Sequence, residues 1–121
     1  MEQAGRHNFH FQNIEKSQDE ILALFQVDPK LPWFQGHFPG EPVLPAVSII
    51  EISLHLLKNI QPQVSHTQLE LKRSKFTAVV SPGQSVHISI KRLLENQWEI
   101  LWVDQEDQTK LAQIRMYIDP A

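Results

Sequence analysis

The spacing of apolar residues changes along the chain, and each change marks an element. From His7 to Ile14 and from Glu20 to Val27, short apolar clusters flank the polar stretch Glu15-Lys16-Ser17-Gln18-Asp19. That layout predicts two strands joined by a turn. The following segment carries Pro29, Pro32, Pro39, Pro42 and Pro45. Proline removes backbone donors and fixes φ, so the segment is a shaped loop and not a helix or central strand. From Ala46 to about Ile60 the period becomes helical. Val47, Ile50, Leu54 and Leu57 fall on one face with Ile49, Leu56 and Ile60 beside it, while Ser48, Glu51, His55, Lys58 and Asn59 fill the remaining arc. Pro45 ahead of the first turn and Gln61-Pro62 after the last bound a rod of roughly 20 Å.

Beyond the helix the period falls to two. Val86, Ile88 and Ile90 alternate with His87, Ser89 and Lys91, and the same alternation runs through Trp98, Ile100 and Trp102 and through Ile114, Met116 and Ile118. Ser81-Pro82-Gly83-Gln84, Glu95-Asn96-Gln97 and Asp104 to Thr109 supply turns, so the strands from about His66 to Asp119 are expected to form an antiparallel meander. Connections this short leave no room for parallel crossovers. A lone apolar helix needs cover. Together the elements predict an α+β architecture, an antiparallel sheet of five to six strands wrapped around one long helix, as a single domain over residues 1–121.

Composition narrows the chemistry. With no cysteine there is no disulfide, thiolate metal site or cysteine nucleophile. The four glycines form no phosphate-cradling loop, no G-x-S-x-G elbow occurs, and a net charge of −3 opposes general nucleic-acid affinity. No apolar run approaches a membrane span and the N-terminus lacks a secretion-signal layout, so the expected location is the cytoplasm.

The residues between Trp33 and Glu51, WFQGHFPGEPVLPAVSIIE, concentrate conformationally special types ahead of the helix. His37, flanked by Gly36 and Phe38-Pro39, is held for acid/base work beside apolar surroundings. Glu51 lies about a turn and a half into the helix, and a carboxyl against an apolar wall tends to keep its proton. Periodicity alone would place Glu51 on a polar stripe with Ser48 and His55; it also allows an i,i+4 ion pair with His55, since a metal site would need a third ligand. His7, His10, His66 and His87 read as structural or exposed. Trp33 and Phe34 suit a substrate tunnel, core packing or a dimer contact, and Trp98 and Trp102 share a face that covers the helix.

The segment is similar to the G-H-F-P-G-x-P-V-x-P-G motif of the β-hydroxyacyl-acyl carrier protein dehydratases, a hot-dog family with an acidic residue fourteen positions after the histidine, the spacing of His37 and Glu51 here. Lys75-Phe76, Ser81-Pro82-Gly83-Gln84 and the closing stretch Leu111 to Ile118 extend the resemblance from about residue 18 to the C-terminus.

The resemblance implies that His37 removes the α-proton of a 3-hydroxyacyl thioester and Glu51 protonates the departing hydroxyl. The Ala46 N–H would then face the thioester oxygen, and Gly36, Phe38, Val47 and Phe34 would complete the substrate site. No metal or redox cofactor is implied. It further implies an acyl carrier protein or coenzyme A thioester as partner, and a homodimer, or a trimer of such dimers, with each site shared across the interface. Lys72, Arg73, Lys75, Lys91 and Arg92 are the candidates for a basic rim facing an acidic carrier. Two departures bear on this. Ala46 stands where the family has glycine, and the chain ahead of the first strand leaves little room for the N-terminal helix of the housekeeping enzymes, which suggests a compact relative. A thioesterase on the same fold and a non-catalytic acyl-binding subunit are the alternatives; the intact G-H-F-P favours dehydration, and Ala46 is the argument for the binding subunit.

Overall fold

The computed structural model describes residues 9–34, 43–64 and 69–118. Six strands, β1 (Phe11–Lys16), β2 (Glu20–Gln26), β3 (Leu69–Phe76), β4 (Ser85–Leu94), β5 (Gln97–Asp104) and β6 (Lys110–Ile118), accompany one helix, α1 (Ala46–Leu57), and a 3-10 turn at Pro32–Phe34. The strands form one sheet in the order β1-β2-β4-β5-β6-β3, and every neighbouring pair is antiparallel. This is the α+β hot-dog layout expected from the sequence.

The two-residue period dictates the core. Ile21, Ala23 and Phe25 of β2, Val86, Ile88 and Ile90 of β4, Trp98, Ile100 and Trp102 of β5, and Ile114 and Met116 of β6 point to one face and are buried against α1. Both tryptophans lie in this layer, as their shared strand face predicts.

Three expectations need correction. The first turn is shorter than its polar composition suggests. Glu15 and Lys16 pair with Leu22 and Ile21 as part of β1, leaving residues 17–19 to reverse the chain. Ladder bonds and the apolar partner strand outweigh the polarity of the edge residues.

The meander holds for β4, β5 and β6 but not for β3, which pairs with β6 at the far edge. The β3–β4 connection is too apolar for a hairpin turn. Val80 is fully buried, and its carbonyl accepts the Leu44 N–H at 2.8 Å, so this connection packs into the core across the end of the sheet. Eight residues cover the width of two intervening strands at 4.7–4.9 Å per step, on the order of 15 Å in all, without strain.

The helix is rotated from the expected face and stops earlier, at Leu57. Ser48 and Ser53 are fully buried, whereas Val47 is 68% exposed and Ile50 half-buried. Small side chains let the helix approach the tryptophan layer closely. The Ser53 hydroxyl also satisfies itself there, donating to the Ile49 carbonyl at 2.7 Å and accepting from Trp102 Nε1 at 2.9 Å. The buried arc therefore centres on Ile49, Ile52, Ser53 and Leu56. At the C-terminal end, Asn59 N–H to Leu56 O and Ile60 N–H to Leu57 O tighten the last turn ahead of Pro62.

Candidate active site

Two anchors hold the ends of the loop that carries the motif. On the N-terminal side, the 3-10 turn is closed by the Phe34 N–H donating to the Leu31 carbonyl at 3.0 Å, and Phe34 is buried in the core. On the C-terminal side, Leu44 is buried and bonded to Val80, and Pro45 takes an extended conformation (φ −71°, ψ 159°) that delivers the chain into α1. Gly36, His37 and Phe38 lie outside the described residues.

Ala46 is the first helical residue and does not have positive φ; among the described residues only Asn13, Gln108 and Gly83 do. Its methyl group is therefore free of backbone strain, and the glycine of the resembling family is not required here for conformation. The opening N–H groups of α1 lack intrahelical acceptors and carry the positive end of the helix dipole.

Glu51 sits on the outward strip of α1, its side chain 29% exposed, with Val47 four residues before it and His55 four after. The Glu51 Oε2 and His55 Nε2 atoms are 3.4 Å apart, the helix-surface pair that the i,i+4 spacing predicts. The His55 ring meets Phe9 edge-on with centroids 4.9 Å apart, and Phe9 stacks on Trp33 at 6.0 Å with planes within 13°. Trp33, Phe9, His55 and Glu51 thus form a chain of side-chain contacts from the residues ahead of the motif loop onto the helix. Of the two aromatics ahead of the motif, Phe34 is core, and Trp33 packs partly buried against the core and stacks on Phe9. Phe9 had no assigned role in the sequence reading, although the Phe9-His10-Phe11 alternation was a usable signal. Chemically, this strip presents a carboxyl group with Val47 on one side and the imidazole of His55 on the other, midway along the helix.

The proposed basic rim does not form one surface. Arg92 is held by Asp19 at 2.8 Å and lies over the Trp98 ring at 4.5 Å, while Lys72 pairs with Glu70 and lies over Tyr117. Arg73 and Lys75 share a cleft with Glu99, Gln113 and Arg115, and β5 and β6 separate them from Lys91 and Arg92. The unexpected position of β3 is the cause. His10 and His87 are exposed, as expected; His7 and His66 lie outside the described residues.

Comparison with known proteins identifies the family. The ApeI-like family, described as ApeI dehydratase, matches residues 13–115. The 3-hydroxyacyl-[acyl-carrier-protein] dehydratase FabZ of Shewanella frigidimarina is 30% identical over 75% of this chain and 69% of its own length. Among solved structures, the dehydratase heterocomplex ApeI:P from Xenorhabdus doucetiae superposes with a TM-score of 0.79 at 22% identity, covering 93% of this chain and 99% of that one. The dehydratase domain from the CurF module of Curacin polyketide synthase gives 0.68 at 14% identity over 98% of this chain and 46% of that one. The two structures share the hot-dog fold with this protein. The chain belongs to the ApeI-like dehydratase family.

Proposed function

We propose that this protein, as a single hot-dog domain, eliminates water from 3-hydroxyacyl thioesters to give trans-2-enoyl thioesters, with His37 as base and Glu51 as acid. The observation that supports it most is the place of Glu51. The outward strip of α1 combines a carboxyl group with exposed apolar side chains, fourteen residues after the motif histidine and in a chain whose family is one of dehydratases. His37 takes the α-proton, negative charge develops toward the thioester oxygen, and the Ala46 N–H at the helix N-terminus stabilises it. Glu51 then gives its proton to the departing β-hydroxyl, which leaves as water. His37 retains the α-proton until turnover resets both groups, so the atoms balance without a redox partner. Gly36, Phe38 and Val47 complete the acyl and thioester surroundings, with Phe34 in the core behind them.

The substrate arrives on an acyl carrier protein or coenzyme A. The site is shared across a homodimer in which one subunit supplies His37 and the other Glu51; the half-exposed flank of α1 supports such sharing. A second reading of the assembly replaces the identical partner by a different hot-dog chain. It is favoured by β3, whose Glu70, Lys72, Arg73 and Lys75 leave a net positive edge that pairs poorly with itself, and by the heterocomplex solved for the ApeI relative.

Incubation with a 3-hydroxyacyl carrier-protein thioester, followed by identification of the product, tests the reaction. An enoyl thioester supports dehydration, free acid would show a hydrolase, and untouched substrate would favour an acyl-binding subunit.

A further inference from the structure

The face of the sheet turned away from α1 is not built like a solvated surface. A sheet covered on one side alternates apolar and polar residues, but β2 and β5 carry leucine and valine on the outward positions as well. The exposed Leu22 and the nearly covered Leu24 interleave with the buried Ile21, Ala23 and Phe25, and the half-buried Leu101 and Val103 flank the buried Trp102. A bulge between Gln12 and Glu15, with Asn13 at φ 53°, breaks the register of β1 there. Asn13, Ile14 and Glu15 then wall a groove of about 740 Å³ floored by those four apolar side chains.

A charged row runs beside the groove. The register places Glu20 opposite Lys91, Lys91 opposite Glu99 and Glu99 opposite Arg115, so the signs across the four strands β2, β4, β5 and β6 alternate negative, positive, negative, positive, with Arg73 of β3 beyond Arg115 at the edge. Reversed, that row is its own complement. A two-fold axis parallel to the strands and passing between β4 and β5 lays Glu20 of one copy on Arg115 of another and Lys91 on Glu99. The same rotation sets Ser89 against Leu101 and His87 against Val103. An axis across the strands would instead bring like charges together. Within one chain Glu99 is already held by Arg115 at 3.3 Å and Gln113 at 2.9 Å, so part of the row is ordered before any contact is made.

We infer that the outer face of the sheet binds the same face of a second copy of this chain, back to back, with the charged row setting the register and the leucine–valine groove supplying the buried area. The contact is isologous and of the aligned sheet-on-sheet type. It uses neither α1 nor the β3 edge, so a pair of subunits formed around the catalytic site still offers this face for further association.

Sedimentation of the full chain over a wide concentration range tests this, with Leu22→Lys and Leu101→Lys beside the wild type and water elimination assayed in parallel. The expected result is a wild-type species heavier than two chains, at least halved in mass by either lysine, with the reaction unchanged. A wild type that never exceeds two chains, or lysine variants that keep the wild-type mass, would overturn it. Cysteine chemistry gives an independent reading because the native chain has none. Chains bearing Ser89→Cys mixed with chains bearing Leu101→Cys should be joined by a bis-maleimide spanning about 10 Å, the distance between packed sheets. Yields no higher than for an Asp107→Cys control would contradict the proposed face.

Discussion

Ser53 and Ser48 occupy one buried helix face with opposite consequences. Ser53 bridges Trp102 and the Ile49 carbonyl, so Ser53→Ala strands a buried indole N–H and is expected to cost about 1–3 kcal/mol in urea unfolding. The Ser48 hydroxyl is equally buried but has no hydrogen-bond partner among the described residues, so Ser48→Ala should leave stability unchanged or raise it. Equal losses for the two variants would show that the bridge carries no special weight. At this scale the tryptophan layer was legible, because a period of two puts Trp98 and Trp102 on one face. The buried serines were not. A serine reads as surface unless its partner is known, and the partner of Ser53 is Trp102, 49 positions along the chain. That error rotated the expected helix face and put the exposed Val47 in the core, although Glu51 and His55 do stand on the outward strip that the periodicity assigns them.

Among the elements, the turns were the most legible part of the sequence, since each depends on local chemistry. Gly83 adopts φ +87° in the predicted Ser81–Gln84 turn with open space where a Cβ would lie. Gly83→Ala should therefore cost about 1 kcal/mol from backbone strain alone, without a steric clash. In the β5–β6 turn, N–H groups of Asp107 and Glu106 and the Gln84 amide donate to the Asp104 carboxylate. The Asp107 N–H foremost, with the Gln84 amide next, holds that carboxyl below its ordinary value of 3.8. Because the folded value is the lower one, the turn gains stability above the ordinary value and loses it as pH falls through the folded one. A carboxyl NMR titration should show Asp104 protonating at lower pH than an exposed aspartate, and Gln84→Ala should move it upward. An unshifted titration in both proteins would remove the carboxylate from the account of this turn. The place of β3 was not legible, because strand order depends on where the connection through the buried Val80 packs, and no local pattern encodes that.

For the whole molecule, family and candidate chemistry were readable because the motif loop is dense in residues with restricted conformations and its spacing to the acidic residue is unbroken. The shared site carries a prediction at this scale. His37→Ala and Glu51→Gln chains, each inactive alone, should recover up to about a quarter of wild-type activity when mixed and re-paired, since half of the pairs are mixed and each mixed pair holds one complete site. No recovery would place both groups within one subunit. The most direct measurement is single-turnover conversion of a 3-hydroxyacyl carrier-protein thioester, followed by mass, with wild type, His37→Ala and Glu51→Gln in parallel. The expected result is loss of one water in the wild type and a rate at least about a hundredfold lower in each variant. Wild-type rates in either variant would contradict it.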